Sequence, residues 1–185
     1  RYDQGKIVEA LDAYERAIDG LSTAYGAESG RVGGARLNRA LCLVDLHRVE
    51  EGRAELRSAL AILRASFGQE SRSVAMALTN LGWATADSEP ETAIGRYREA
   101  IAVYDALYGP DSVDALKATR ALAKILARVR GRAAAVTELT PALAAATRTL
   151  GPDHALTRDL ATLHAEFSGP ALPQLRGAQR KAPAP

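Results

Sequence analysis

Four basic residues, Lys117, Arg120, Lys124 and Arg128, follow one another at steps of 3, 4 and 4. On an α-helix that spacing lines them up on one face. Residues 115–132 carry six basic side chains, Arg130 and Arg132 included, and no acid. A stripe of one sign focuses potential toward an anion, and its guanidinium and ammonium groups can donate to carboxylates. The same stripe also fits a solvated helix face. As a site it would do binding chemistry, not bond-making chemistry. The single cysteine, Cys42, permits no internal disulfide and no cysteine-based zinc site, and reads as a small buried apolar group. His47, His154 and His164 are scattered and form no HExxH pattern. There is no glycine-rich phosphate loop, serine elbow or paired His–carboxylate motif. The sequence predicts a non-enzyme with no cofactor and no metal.

Such a stripe needs a helix to display it, and the composition supplies helices. Of 185 residues, 38 are Ala and 23 are Leu, while aromatics number 9. Ala and Leu lose little freedom in a helix and do little to fill a pleated sheet, so an all-α chain is expected. No uncharged apolar run reaches the ~18 residues of a membrane span. No signal peptide opens the chain, and a cytoplasmic protein is expected. The net charge of +2 is too small to mark a nucleic-acid binder by bulk charge. Arg outnumbers Lys 20 to 4, which suggests a GC-rich genome.

Two independent combs define a repeat. The first is a large apolar residue followed by glycine: Tyr25-Gly26, Phe67-Gly68, Tyr108-Gly109 and Leu150-Gly151, at steps of 42, 41 and 42. The second is a small residue, a bulky one at +4 and Ala at +7. It reads Ala10-Tyr14-Ala17, Gly52-Leu56-Ala59, Ala93-Tyr97-Ala100 and Ala135-Leu139-Ala142, at the same steps. The glycines suit left-handed helix ends. Glu28, Glu70, Asp111 and Asp153 lie two residues on, where an acid favours the start of the next helix. Ser88-Glu89-Pro90-Glu91 reads as a capping box. These signals predict helices over 5–25, 29–46, 49–67, 71–87, 89–108, 112–129, 132–150 and 154–167, with a kink at Pro141. Ala17, Ala59, Ala100 and Ala142 should be buried between helices, and Tyr14, Tyr25, Tyr97 and Tyr108 should be core. One helix pair cannot bury its apolar face alone, so the pairs must stack.

Helix pairs with this small–aromatic–small spacing resemble tetratricopeptide repeats. The 42-residue step, Gly109-Pro110-Asp111 and Gly151-Pro152-Asp153-His154 resemble the longer kinesin-light-chain-like variety, also common in bacterial signalling proteins. Leu46-His47-Arg48-Val49-Glu50-Glu51-Gly52 is similar to the family turn phrase Leu-Gly-Arg-Tyr-Glu-Glu-Ala. Asn38 and Asn80-Leu81-Gly82 match the first-helix stretch, whereas the third unit has Ala121 there. A HEAT-type solenoid is the rival, but it gives no reason for the aromatic–glycine comb. The resemblance implies a right-handed α-solenoid over residues 1–167, with about three complete repeats and partial repeats at both ends. Ser168–Pro185 reads as a flexible proline-rich tail. Helix 5–25 matches a second helix lacking its first, so Leu11, Tyr14, Ile18 and Leu21 are expected to lie open. More repeats are then expected before Arg1, and the open face predicts self-association.

The resemblance also places first helices along a concave groove. It puts Asn38, Asn80 and Trp83 there, beside Lys117, Arg120, Lys124 and Arg128. Asn would anchor an extended peptide backbone or, alternatively, bond the next repeat. Trp83 would offer a flat apolar surface, or become a packing residue if the register slips by one. The implied function is capture of a protein or peptide segment, acidic in character, by a scaffold for protein binding. An alternative is a regulatory or oligomerising arm of a larger signalling protein, such as a kinase or an ATPase-type regulator. Nucleic-acid binding through the stripe comes third, since interleaved aromatics are lacking.

Overall fold

Each glycine of the first comb ends a helix. The computed structural model describes residues 4–169, and among them it has eight helices and no strand. They are α1 (Gln4–Tyr25), α2 (Gly30–Asp45), α3 (Val49–Phe67), α4 (Arg72–Thr85), α5 (Pro90–Tyr108), α6 (Val113–Val129), α7 (Arg132–Leu150) and α8 (Ala155–Ser168). Every expected helix is present, with ends within two residues of the expectation. The tail expected from residue 168 lies, from 170 on, outside the described residues. Gly26, Gly68, Gly109 and Gly151 take φ between 79° and 86°, the left-handed region where a Cβ is strained.

The acids stand just before the helix starts, and the residue after each one makes the cap. Ser29, Ser71 and Ser112 accept from the backbone N–H of Val32, Val74 and Ala115 at 3.5, 3.3 and 3.3 Å. His154 Nδ1 accepts from the Leu156 N–H at 3.2 Å. The expected capping box at Ser88 does not form, since α5 is capped by Glu89 without a side-chain bond. The Ser88 hydroxyl accepts instead from Arg53, a buried arginine whose Nε donates to the Ala84 carbonyl at 2.7 Å. Arg53 thus ties α3 to the α4–α5 turn. The helix α7 runs continuously through Pro141.

Neighbouring helices pack in sequence along the array, which is an all-α solenoid. The +7 alanines Ala59, Ala100 and Ala142 are buried, at 0%, 0% and 7% exposure. Ala17 is exposed, against expectation, because α1 packs chiefly on α2 and has no described helix on its other side. Leu11 and Ile18 are not open either. They are 6% exposed, and they face α2. Of the four comb tyrosines, Tyr97 is core and Tyr14 is half-buried. Tyr25, Phe67 and Tyr108 are 52–55% exposed. They stand in the last turn before the glycine, where the chain leaves the packed layer. The Arg31 guanidinium lies 4.6 Å from the Tyr25 ring.

One turn carries strain. The His47 N–H donates to the Val44 carbonyl and the Arg48 N–H to the Leu43 carbonyl, a Schellman closure of α2. The residue that must be left-handed there is His47, at φ 62°, where the resembling phrase has glycine. A left-handed non-glycine residue costs roughly 1–2 kcal/mol. His47→Gly should therefore raise stability by about 0.5–1 kcal/mol, after the extra freedom of glycine in the unfolded chain is offset. A lower urea midpoint than wild type would refute this. Ala100→Leu should overpack and cost about 1–3 kcal/mol. Ala17→Leu should stay within about 0.5 kcal/mol of wild type, since that position is exposed.

Candidate functional site

The basic stripe lies on α6, a first helix. In the inner layer α2 packs on α4 and α6 packs on α8, but α4 and α6 make no comparable contact. The gap between them is a cavity of about 480 Å³. Two small residues shape this region. Ala121 stands where the two preceding units carry Asn38 and Asn80, and it lines the cavity. Gly82 lets the Tyr97 ring lie against α4, since a Cβ there would meet the ring at 3.0 Å.

Four of the seven expected site residues line this cavity: Trp83, Arg120, Lys124 and Arg128. Trp83 is 48% exposed, so it is not a packing residue. Lys117 continues the stripe one turn beyond the cavity wall and is exposed. Asn80 is half-buried one turn before Trp83 on the same helix, outside the lining. Asn38 is exposed on α2, a repeat away from the cavity. Neither asparagine side chain has a hydrogen-bond partner among the described residues, so neither anchors the neighbouring repeat.

The sequence reading missed the rest of the wall, namely Ala86, Tyr97, Ala121 and Ile125. The loss of Asn at 121 was the available signal. It also missed two carboxylates. Arg128 Nη1 donates to Asp87 Oδ1 at 2.7 Å, and its Nη2 donates to the Ala86 carbonyl. Arg120 pairs with Asp159. Lys117 and Lys124 have no partner among the described residues. The stripe is therefore partly neutralised from within, with its lysines left free.

Tyr97 forms part of the wall at 3% exposure, and its hydroxyl has no hydrogen-bond partner among the described residues. Burial pushes its phenol from 10.0 up to about 12. Cys42 is only half-buried; burial and then the Asp45 charge raise its thiol, which keeps it unreactive. A second cavity, of about 470 Å³, lies between α5 and α7. Ion pairs from Arg148 to Asp111 and from Arg98 to Glu138 already occupy charges on its wall. Among the described residues, no group of three His, Cys, Asp or Glu could hold a metal. No helix there is long and apolar enough to cross a membrane.

Comparison with known proteins agrees with this fold. The sequence model of the tetratricopeptide repeat family matches residues 31–106. No curated protein sequence matches the chain. Among solved structures, the kinesin light chain nearly identical TPR-like repeats of Podosopora anserina superpose with a TM-score of 0.76 at 18% identity, covering 88% of this chain and 78% of that one. A variant of the same protein gives 0.77 at 18% identity, covering 88% of this chain and 77% of that one. BtubC (BKLC) from P. vanneervenii gives 0.71 at 15% identity, covering 87% of this chain and 65% of that one.

The buried phenol has a consequence for alkaline stability. The unfolded chain ionises Tyr97 near 10 and the folded chain near 12, so the folded state holds the proton between those values. The contribution is fully present below pH 10 and is lost as pH rises toward 12. Urea unfolding at pH 8 and pH 11 should show wild type losing about 1 kcal/mol more than Tyr97→Phe. Equal losses in the two proteins would refute the assignment.

Proposed function

Because this chain carries tetratricopeptide repeats stacked in the kinesin-light-chain-like manner, we propose that it captures an acidic peptide segment of a partner protein in the groove between α4 and α6. Such repeats generally serve as non-enzymatic protein–protein interaction modules. The observation that supports this particular ligand is the wall of the α4–α6 cavity. It puts the exposed Trp83 ring and the apolar Ile125 beside the free ammonium of Lys124. An apolar ligand side chain gains from covering Trp83 and Ile125. A carboxylate beside it gains from Lys124, and Lys117 extends the same positive face. The Asn80 amide, one turn along α4, can bond the peptide backbone. Asn38 would extend such anchoring into the preceding repeat. The cavity wall offers no nucleophile paired with a base, so the ligand is held and released unchanged.

The probe is the synthetic peptide Glu-Ser-Leu-Ser-Glu, blocked at both ends. Trp83 is the sole tryptophan, so its emission reports occupancy directly. Lys117→Glu with Lys124→Glu should weaken binding roughly tenfold. Arg16→Glu with Arg57→Glu, exposed on the second helices α1 and α3, should leave it unchanged. Binding should also weaken as salt rises, since exposed charges are screened over about 8–10 Å at physiological ionic strength. Unchanged affinity after the lysine reversals, or equal binding of the basic peptide Lys-Ser-Leu-Ser-Lys, would overturn this reading.

A further inference from the structure

Both arginines of the cavity are held by carboxylates from other repeats. Asp87, in the turn after α4, holds Arg128, and Asp159, on α8, holds Arg120. The Asp87 side chain is 93% exposed and that of Asp159 is 56% exposed. Exposed pairs of this kind are weak and exchange readily. Between the two arginines, Lys124 stands without a partner among the described residues.

We propose that Asp87 and Asp159 are specificity-determining residues of the groove. They occupy Arg128 and Arg120 until a ligand presents two carboxylates at the right spacing to replace both. This inference rests on the groove reading given above. Arg120 and Arg128 are eight residues apart on one helix, about 12 Å along its axis. In an extended chain, residues i and i+4 are about 13 Å apart, and they share a face with residue i+2. A peptide of the pattern Glu-Ser-Leu-Ser-Glu therefore sets its two carboxylates over the two guanidinium groups. Its leucine then lies over Trp83 and Ile125. A ligand carboxylate over either arginine replaces an internal pair by an equivalent pair and gains less than it would over a free guanidinium. A neutral ligand displaces neither aspartate. The aspartates thus act as internal competitors: each lowers the gain from a ligand carboxylate at its own arginine, so they hold down affinity for acidic segments, most for the doubly acidic one, and leave neutral segments untouched.

The test uses Trp83 emission in the full chain and three blocked probes: Glu-Ser-Leu-Ser-Glu, Gln-Ser-Leu-Ser-Gln and Glu-Ser-Leu-Glu-Ser. In the last, the second acid is moved to the other face. Asp87→Asn with Asp159→Asn removes both internal competitors and keeps side-chain shape. It should bind Glu-Ser-Leu-Ser-Glu roughly tenfold tighter than wild type does. The gain for Glu-Ser-Leu-Glu-Ser should be smaller, and affinity for Gln-Ser-Leu-Ser-Gln should be unchanged. Asp12→Asn with Asp19→Asn, on exposed positions of α1, removes the same bulk charge far from the groove and should give no gain. Unchanged affinity in the groove variant, an equal gain in the α1 control, or an equal gain for all three probes would each overturn the inference. The two readings fail separately. If reversing Lys117 and Lys124 has no effect, the groove itself is misassigned. If that reversal weakens binding but the aspartate variant does not tighten it, only the competition fails.

Discussion

Close approach between helices at the small-residue column governs the whole array. Ala59, Ala93, Ala100 and Ala135 are all at 0% exposure, and Leu56, Tyr97 and Leu139 between them are at 3% or less. Each second helix must lie against its own first helix and against the first helix of the next unit. A side chain longer than a methyl at these alanines would separate both contacts at once. That constraint repeats at every unit, which is why the small–bulky–alanine comb keeps its step along the sequence. It also explains Ala17, which has the comb's residue type but no described helix on its outer side, and is exposed.

The fold was legible because stacking imposes periodicity, and periodicity can be counted. What it cannot reveal is how each equivalent position meets its neighbours. Tyr25, Tyr97 and Tyr108 all fall on combs, yet only Tyr97 is core. The other two occupy the last helical turn, where the layer ends. The N-caps were missed for a local reason. Ser29, Ser71 and Ser112 repeat as regularly as the acids before them, but an acid beside a helix start masks the residue that makes the hydrogen bond. Ser88 was misread for a distant reason. Arg53, on the preceding second helix, claims its hydroxyl, and no local motif encodes that.

The site divides in the same way. The stripe of Lys117, Arg120, Lys124 and Arg128 was visible because helical spacing alone puts it on one face. Its partners were not visible. Asp87 comes from the turn after α4 and Asp159 from α8, so the neutralisation of the arginines exists only once the repeats are stacked. The cavity was equally hidden, since part of its space comes from what is missing, an Asn side chain at Ala121. Absences of this kind become space only when α4, α5 and α6 are brought together.

The division of labour between the two kinds of cation follows from their chemistry. Arginine presents a planar fork on a long stem, and can reach across to a neighbouring repeat and engage two acceptors there, as Arg128 does with the Asp87 carboxylate and the Ala86 carbonyl. Across this chain it does so repeatedly, from Arg72 to Asp114, Arg98 to Glu138 and Arg130 to Glu91. Arginine here is chiefly a tie between units. Lysine is a compact, strongly hydrated charge with no such fork. The chain has 4 lysines against 20 arginines, and two of the four stand on the same face of α6. An arginine at 124 would have both the reach and the geometry to join the internal pairing. A lysine there stays solvated, and its charge remains available between two arginines that are already engaged. The exposed positive charge of the groove is therefore set less by how many cations line it than by which of them are lysine.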